Sequence, residues 1–174
     1  MKKILIVIGI VFGFLFLFML LMVGTISLVN RPRGAKEEVL PGKEGISKKA
    51  LIIYQPGISK FTTKMAHQLA KGINAGGYEV VLNHPGNHLT TDLSEYALVV
   101  FGSPVYAGQI SSILNKYMER VSLEMAGVSA TRIVLFSTGS LGQTEEFDRI
   151  TETLNRLRVV TKVKFVTGAE EEND

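Results

Sequence analysis

The chain has 174 residues, room for one domain of moderate size, and a formal net charge of only +3. Acidic and basic residues alternate along most of it, with no run of five basic residues and no basic stretch interleaved with aromatics, so no nucleic-acid partner is expected. The absence of cysteine excludes disulfides, thiolate metal sites, iron–sulfur ligation, thiol catalysis and lipoprotein-type acylation. His67, His84 and His88 lack zinc-type spacing with a third ligand and read as solvated loop or helix residues.

Lys2 and Lys3 precede an uncharged apolar stretch from Ile4 to Val29. A bilayer core needs about 20 such residues, so this one spans with length left for tilt. A cleavable signal peptide has a shorter apolar core, about 7–15 residues, and ends in a small-x-small site. Val29-Asn30-Arg31-Pro32 is not such a site, and residues 1–30 read as an uncleaved single-pass anchor in the cell membrane. The larger basic cluster, Arg31, Arg33, Lys36, Lys43, Lys48 and Lys49, follows the span and places the remainder in the cytoplasm. Residues 31–48 hold Pro32, Gly34, Pro41, Gly42 and Gly45 among charges and read as a flexible tether.

Beyond the tether, strands and helices alternate. Ala50–Tyr54 is a first strand, and Gln55 to Thr62 turns into a helix whose Met65, Leu69 and Ile73 recur at helical spacing. Gly76-Gly77 ends that helix. Residues 78–82 form a second strand, and the polar stretch from Asn83 to Glu95 holds at best one short helix. Leu98 to Phe101 is too short for a buried helix and rich in β-formers, so it reads as a central strand, stopped by Gly102, Ser103 and Pro104. Ser111 or Ser112 caps a helix bearing Ile113, Leu114, Tyr117, Met118 and Val121. Residues 131–136 form a fourth strand, a helix from about Thr144 carries Phe147, Ile150, Leu154 and Leu157, and residues 159–166 form a fifth strand. Such alternation implies a parallel sheet with right-handed crossovers.

Gly102-Ser103-Pro104-Val105-Tyr106-Ala107-Gly108 resembles the loop after the third strand of the flavodoxin family, and the likeness extends weakly from about Lys49 to Val166. The resemblance implies an α/β, doubly wound five-stranded parallel sheet in the order 2-1-3-4-5 over residues 49–167. It also implies FMN as cofactor and electron transfer as function. Tyr106 then lies against the flavin ring, with Ser103, Pro104, Ala107 and Gly108 in the same loop. The phosphate falls to Gln55, Ser59, Lys60 and Thr62, where Lys60 and Phe61 replace the family's glycine and small polar residue. Thr138, Gly139 and Ser140 border the ring's other side. The family closes with a helix after strand five, whereas residues 168–174 form an acidic tail without an apolar face. A sheet face left bare needs cover from a redox partner, a second copy or the membrane. An alternative from another class is a flavin-free, membrane-tethered interaction or sensing module.

Hydrolysis has little support. Ser103 and Ser140 sit outside any G-x-S-x-G elbow, and Asp92, Glu95, Asp148 and Glu152 read as solvated faces.

Overall fold

The computed structural model describes residues 2–43, 48–125 and 130–168. Helix α1 (Lys2–Val29) is followed by strands β1 (Glu38–Leu40) and β2 (Lys48–Tyr54), helix α2 (Phe61–Ala75) and strand β3 (Tyr78–Asn83). Strand β4 (Leu98–Pro104), helix α3 (Ser112–Glu124), strand β5 (Arg132–Gly139), helix α4 (Glu146–Thr153) and strand β6 (Arg158–Val166) complete it. The sheet order is β1-β3-β2-β4-β5-β6. Leaving β1 aside, this is the expected order 2-1-3-4-5, with β2, β3, β4, β5 and β6 all parallel.

The sixth strand is a departure from the five expected. Glu38 to Leu40 pair antiparallel with Leu82 to Val80 at the edge of the sheet, within a segment read from sequence as a free tether. Polar contacts fasten it. The Lys36 amide donates to Asn83 Oδ1 at 3.1 Å, Glu38 meets His67 Nε2 at 2.8 Å, and Asn74 Nδ2 donates to the Pro41 carbonyl at 2.9 Å. The Glu38 carboxyl is held below its ordinary value by Lys36 and His67. His84 departs too: it is buried, and desolvation holds its imidazole below the usual histidine pKa.

Alternation along each strand sends side chains to two cores. Leu51, Ile53, Val99, Phe101, Ile133 and Leu135 meet α3 and α4, through residues such as Leu114, Tyr117, Met118, Phe147 and Ile150. Ala50, Ile52, Tyr54, Val80, Val100 and Phe136 meet Met65, Ala66 and Ala70 of α2. On this second face α2 covers the centre, and Val134, Val163 and Phe165 toward β6 are only half-buried. The tail from 169 onward, which carries the acidic run, lies outside the described residues.

Local signals set the helix ends. Gly77 takes φ +91° just beyond α2, a conformation that costs glycine nothing. At the start of α3, Ser111 Oγ accepts from the Ile113 amide at 3.3 Å. Asp92, Glu95, Asp148 and Glu152 are exposed, as read from the sequence.

Gly102 serves close approach. A Cβ built there would lie 1.9 Å from the Phe136 ring, which fills that space from the neighbouring strand. Gly102→Ala should therefore destabilise the protein by about 1–3 kcal/mol, the usual cost of overpacking. Phe136→Leu added to it should recover part of the loss, as read by urea unfolding of the detergent-solubilised chain.

Candidate functional site

Strands β2, β4 and β5 run parallel, so the loops that follow Tyr54, Pro104 and Gly139 meet at one edge of the sheet. In doubly wound sheets that carboxyl edge is where ligands bind. Two adjoining cavities open here, of about 420 and 380 Å³, within the range of small-molecule sites. Ser59, Thr62, Pro104, Tyr106, Thr138, Gly139 and Ser140 line the first, and Ala107 and Gly108 join Gly139 and Ser140 at the second. Nine of the residues singled out from sequence are thus brought together.

The first loop delivers the start of α2, whose leading amides have no intrahelical acceptor and carry partial positive charge. Ser59 is exposed, and its Oγ stands 3.4 Å from the Phe61 amide, a long contact for a cap. Lys60 has φ −73°, so the site of the expected glycine is ordinary helical backbone and a lysine side chain fits there without strain. Its side chain is exposed and lines neither cavity. Thr62 is buried, with Oγ1 2.7 Å from Thr138 Oγ1. That contact joins the first loop to the third.

The second loop is locked from within. Ser103, buried, donates to the Pro104 carbonyl at 2.8 Å and accepts from the Ser111 amide at 2.9 Å. Its hydroxyl thus serves the loop and stays out of the cavities. Tyr106 and Gln109 exchange backbone hydrogen bonds of 2.9 and 3.0 Å around Ala107 and Gly108, both with positive φ. Two such residues are what a type I′ turn requires. The Tyr106 hydroxyl accepts from the Ile58 amide at 3.1 Å, which fixes the ring as a wall between the first two loops.

Gln55 is placed elsewhere than expected. It is fully buried, and its Nε2 donates to the carbonyls of Val29 at 2.7 Å and Arg31 at 3.2 Å. The side chain is thereby committed to the end of α1 and is not available to a phosphate.

Beneath the third loop lies a buried ion pair that the sequence did not reveal. Glu146 accepts from Ser137 Oγ at 2.7 Å and from Lys164 Nζ, and both charged residues line the second cavity. Burial pushes the Glu146 carboxyl up, but Lys164 and Ser137 outweigh it and hold it below the ordinary value. Glu146 stands in the first turn of α4, where an acidic residue ordinarily faces solvent and complements the helix dipole. Lys164 reaches it only through the pairing of β6 with β5. Among the described residues no cluster of histidine, aspartate and glutamate could hold a metal ion.

No protein-family model and no curated protein matches the chain. Solved structures do resemble it. The two-electron reduced flavodoxin of Megasphaera elsdenii aligns with a TM-score of 0.60 at 16% identity, over 71% of this chain and 90% of its own. Flavodoxin 2 of Bacillus cereus aligns at 0.55 and 20%, over 71% and 88%. A flavoprotein of Lactobacillus acidophilus in complex with FMN aligns at 0.51 and 16%, over 68% and 93%. The chain therefore has the flavodoxin-like fold.

Because folding lowers the Glu146 pKa, its stabilising contribution is complete above the ordinary carboxyl value of 4.5 and is lost as pH falls through the folded value. Glu146→Gln leaves the Lys164 ammonium without its counter-charge and should cost about 1–3 kcal/mol at neutral pH. The difference from wild type should shrink as pH drops below 4.5, in melting curves recorded across that range.

Proposed function

We propose that this protein is a membrane-anchored, flavodoxin-like carrier that binds FMN and passes electrons, with its globular part in the cytoplasm. The observation that carries the reading is the meeting, at one sheet edge, of the amino terminus of α2, the Tyr106 loop and the Thr138–Ser140 loop around adjoining cavities. The fold neighbours support it: they are flavodoxins and flavoproteins, one of them in complex with FMN. The anchor is supported by the Ile6–Val29 stretch of α1, 24 residues long and free of charge. At 1.5 Å per residue it reaches about 36 Å, against a hydrocarbon core of about 30 Å.

The residues present fit the cofactor. The free amides opening α2 suit a dianionic phosphate, with the Lys60 ammonium on the same turn to add charge. The Tyr106 ring offers a flat apolar wall, and the backbone of Gly139 and Ser140 can approach a planar ring closely. FMN supplies the electron chemistry when bound, while the chain binds, orients and shields it. The Glu146–Lys164 pair brings almost no net charge to that side of the site. Departures of the first loop from the family pattern, Lys60 and Phe61, weigh toward the flavin-free interaction module as the competing reading.

Titration of the detergent-solubilised chain with FMN and with riboflavin separates these readings. FMN fluorescence should be quenched on binding. Tyr106→Ala should weaken binding of both ligands by about 1–3 kcal/mol, the range for loss of an aromatic platform. Thr62→Val breaks the tie to Thr138 that both ligands depend on, and should weaken FMN more than riboflavin if the hydroxyl also meets the phosphate, which only FMN carries. If the Lys60 ammonium pairs with that phosphate, Lys60→Gly should weaken FMN and flatten its salt dependence. Absence of heat and of quenching at high micromolar ligand would overturn the cofactor and leave the interaction module. Protease added to intact cells should spare the domain; ready digestion would reverse the orientation.

A further inference from the structure

Among the described side chains of α1, only Val29 is buried and only Thr25 is half-buried, so the helix projects from the domain and touches it through its last turn. The place of that contact is specific. Carbonyls at a helix end lack intrahelical donors and need others when water is excluded. Gln55, at the end of β2, supplies them to Val29 and Arg31 from a fully buried position. Asn30 Oδ1 in turn accepts from the Ser112 amide at the start of α3, at 2.8 Å. Ile26 and Val29 lie across a small cleft from Tyr106, Ala107 and Ile110. The anchor is therefore fastened to the carboxyl edge of the sheet, the same edge on which the candidate cavities open.

A second observation falls on that edge. Ile58, in the loop after β2, and Leu141, in the loop after β5, are 58% and 64% exposed. Exposed aliphatic loop tips beside the exit of a spanning helix are suited to the boundary between headgroups and acyl chains, where their burial is favourable. Arg31, Arg33 and Lys60, all exposed at this edge, complement anionic headgroups. Leu123 is equally exposed, at 69%, but it stands near the end of α3, which has crossed back to the opposite edge.

We propose that the carboxyl edge of the sheet lies on the bilayer surface, with Ile58 and Leu141 in its headgroup zone, so that the candidate cavities open toward the membrane. The inference rests on the anchor reading above and goes beyond it, since an anchor on a free tether would leave every face of the domain in water. A redox partner would then reach the site along or from within the membrane.

The chain has no cysteine, so Leu15→Cys, Ile58→Cys, Leu141→Cys and Leu123→Cys each accept a single nitroxide label in the full chain. The labelled proteins are placed in vesicles of mixed phosphatidylcholine and phosphatidylglycerol, and collisions with oxygen are compared with those of a water-soluble nickel chelate. Leu15 should report acyl-chain depth. Labels at Ile58 and Leu141 should be shielded from nickel several-fold relative to Leu123. Equal nickel access at Leu141, Ile58 and Leu123, with Leu15 deep, would overturn this orientation and leave the anchor standing. Nickel access at Leu15 would remove the anchor and this inference with it.

Discussion

Phe136 lies over the backbone of Gly102, and the alignment of the three central strands is tied to that contact. β4 sits between β2 and β5, and its register with them, Tyr54 with Gly102 and Gly102 with Phe136, sets where each strand stops. A side chain at position 102 would push the ring away and separate β4 from β5 at the level where their loops begin. The Thr62–Thr138 hydrogen bond, the Val105 amide on the Thr138 carbonyl at 2.8 Å, and the Tyr106 hydroxyl on Ile58 all lie just beyond this layer. Each joins segments that follow or end different strands, so an error in strand register would break all three.

The loops thereby form one connected polar structure. Thr62 and Thr138 satisfy one another where water is excluded, which removes the penalty that either hydroxyl would suffer alone. Tyr106 gives an aromatic wall its orientation by spending its hydroxyl on a backbone amide. The Glu146–Lys164 pair supports the third loop from below, and the Thr167 amide and hydroxyl both donate to the Gly139 carbonyl at 3.0 Å from the end of β6. Preorganisation of this kind suits a site whose chemistry comes from a bound group.

The segment joining α1 to the domain works as a brace. One end is held by Gln55 and Ser112, and the other is paired with β3 through β1 and clasped by His67 and Asn74. Antiparallel addition at an edge also covers backbone groups of β3 that would otherwise face solvent as an open template. The brace limits how far the domain can turn relative to α1.

Much of the architecture was legible in the sequence because its causes are local. Apolar runs of strand length, helical spacing in 62–75 and 112–121, a glycine past α2 and a serine before α3 act within a few residues. An uncharged stretch longer than a bilayer is thick is likewise a property of one segment. The three loops could be named because each follows a recognisable strand. What the tertiary structure decided depends on partners far apart in the chain. Nothing in Glu38-Val39-Leu40, between glycines and prolines, announces a strand; it becomes one because β3 presents an unpaired edge. Gln55 has the sequence position of a phosphate-loop residue, but the end of α1 arrives beside it and takes its amide. Glu146 and Lys164, eighteen residues apart, carry no signal of partnership in the sequence, and the pairing of β5 with β6 brings them together. In each case the chain supplied a side chain capable of several bonds, and long-range packing determined which one excluded water and was kept.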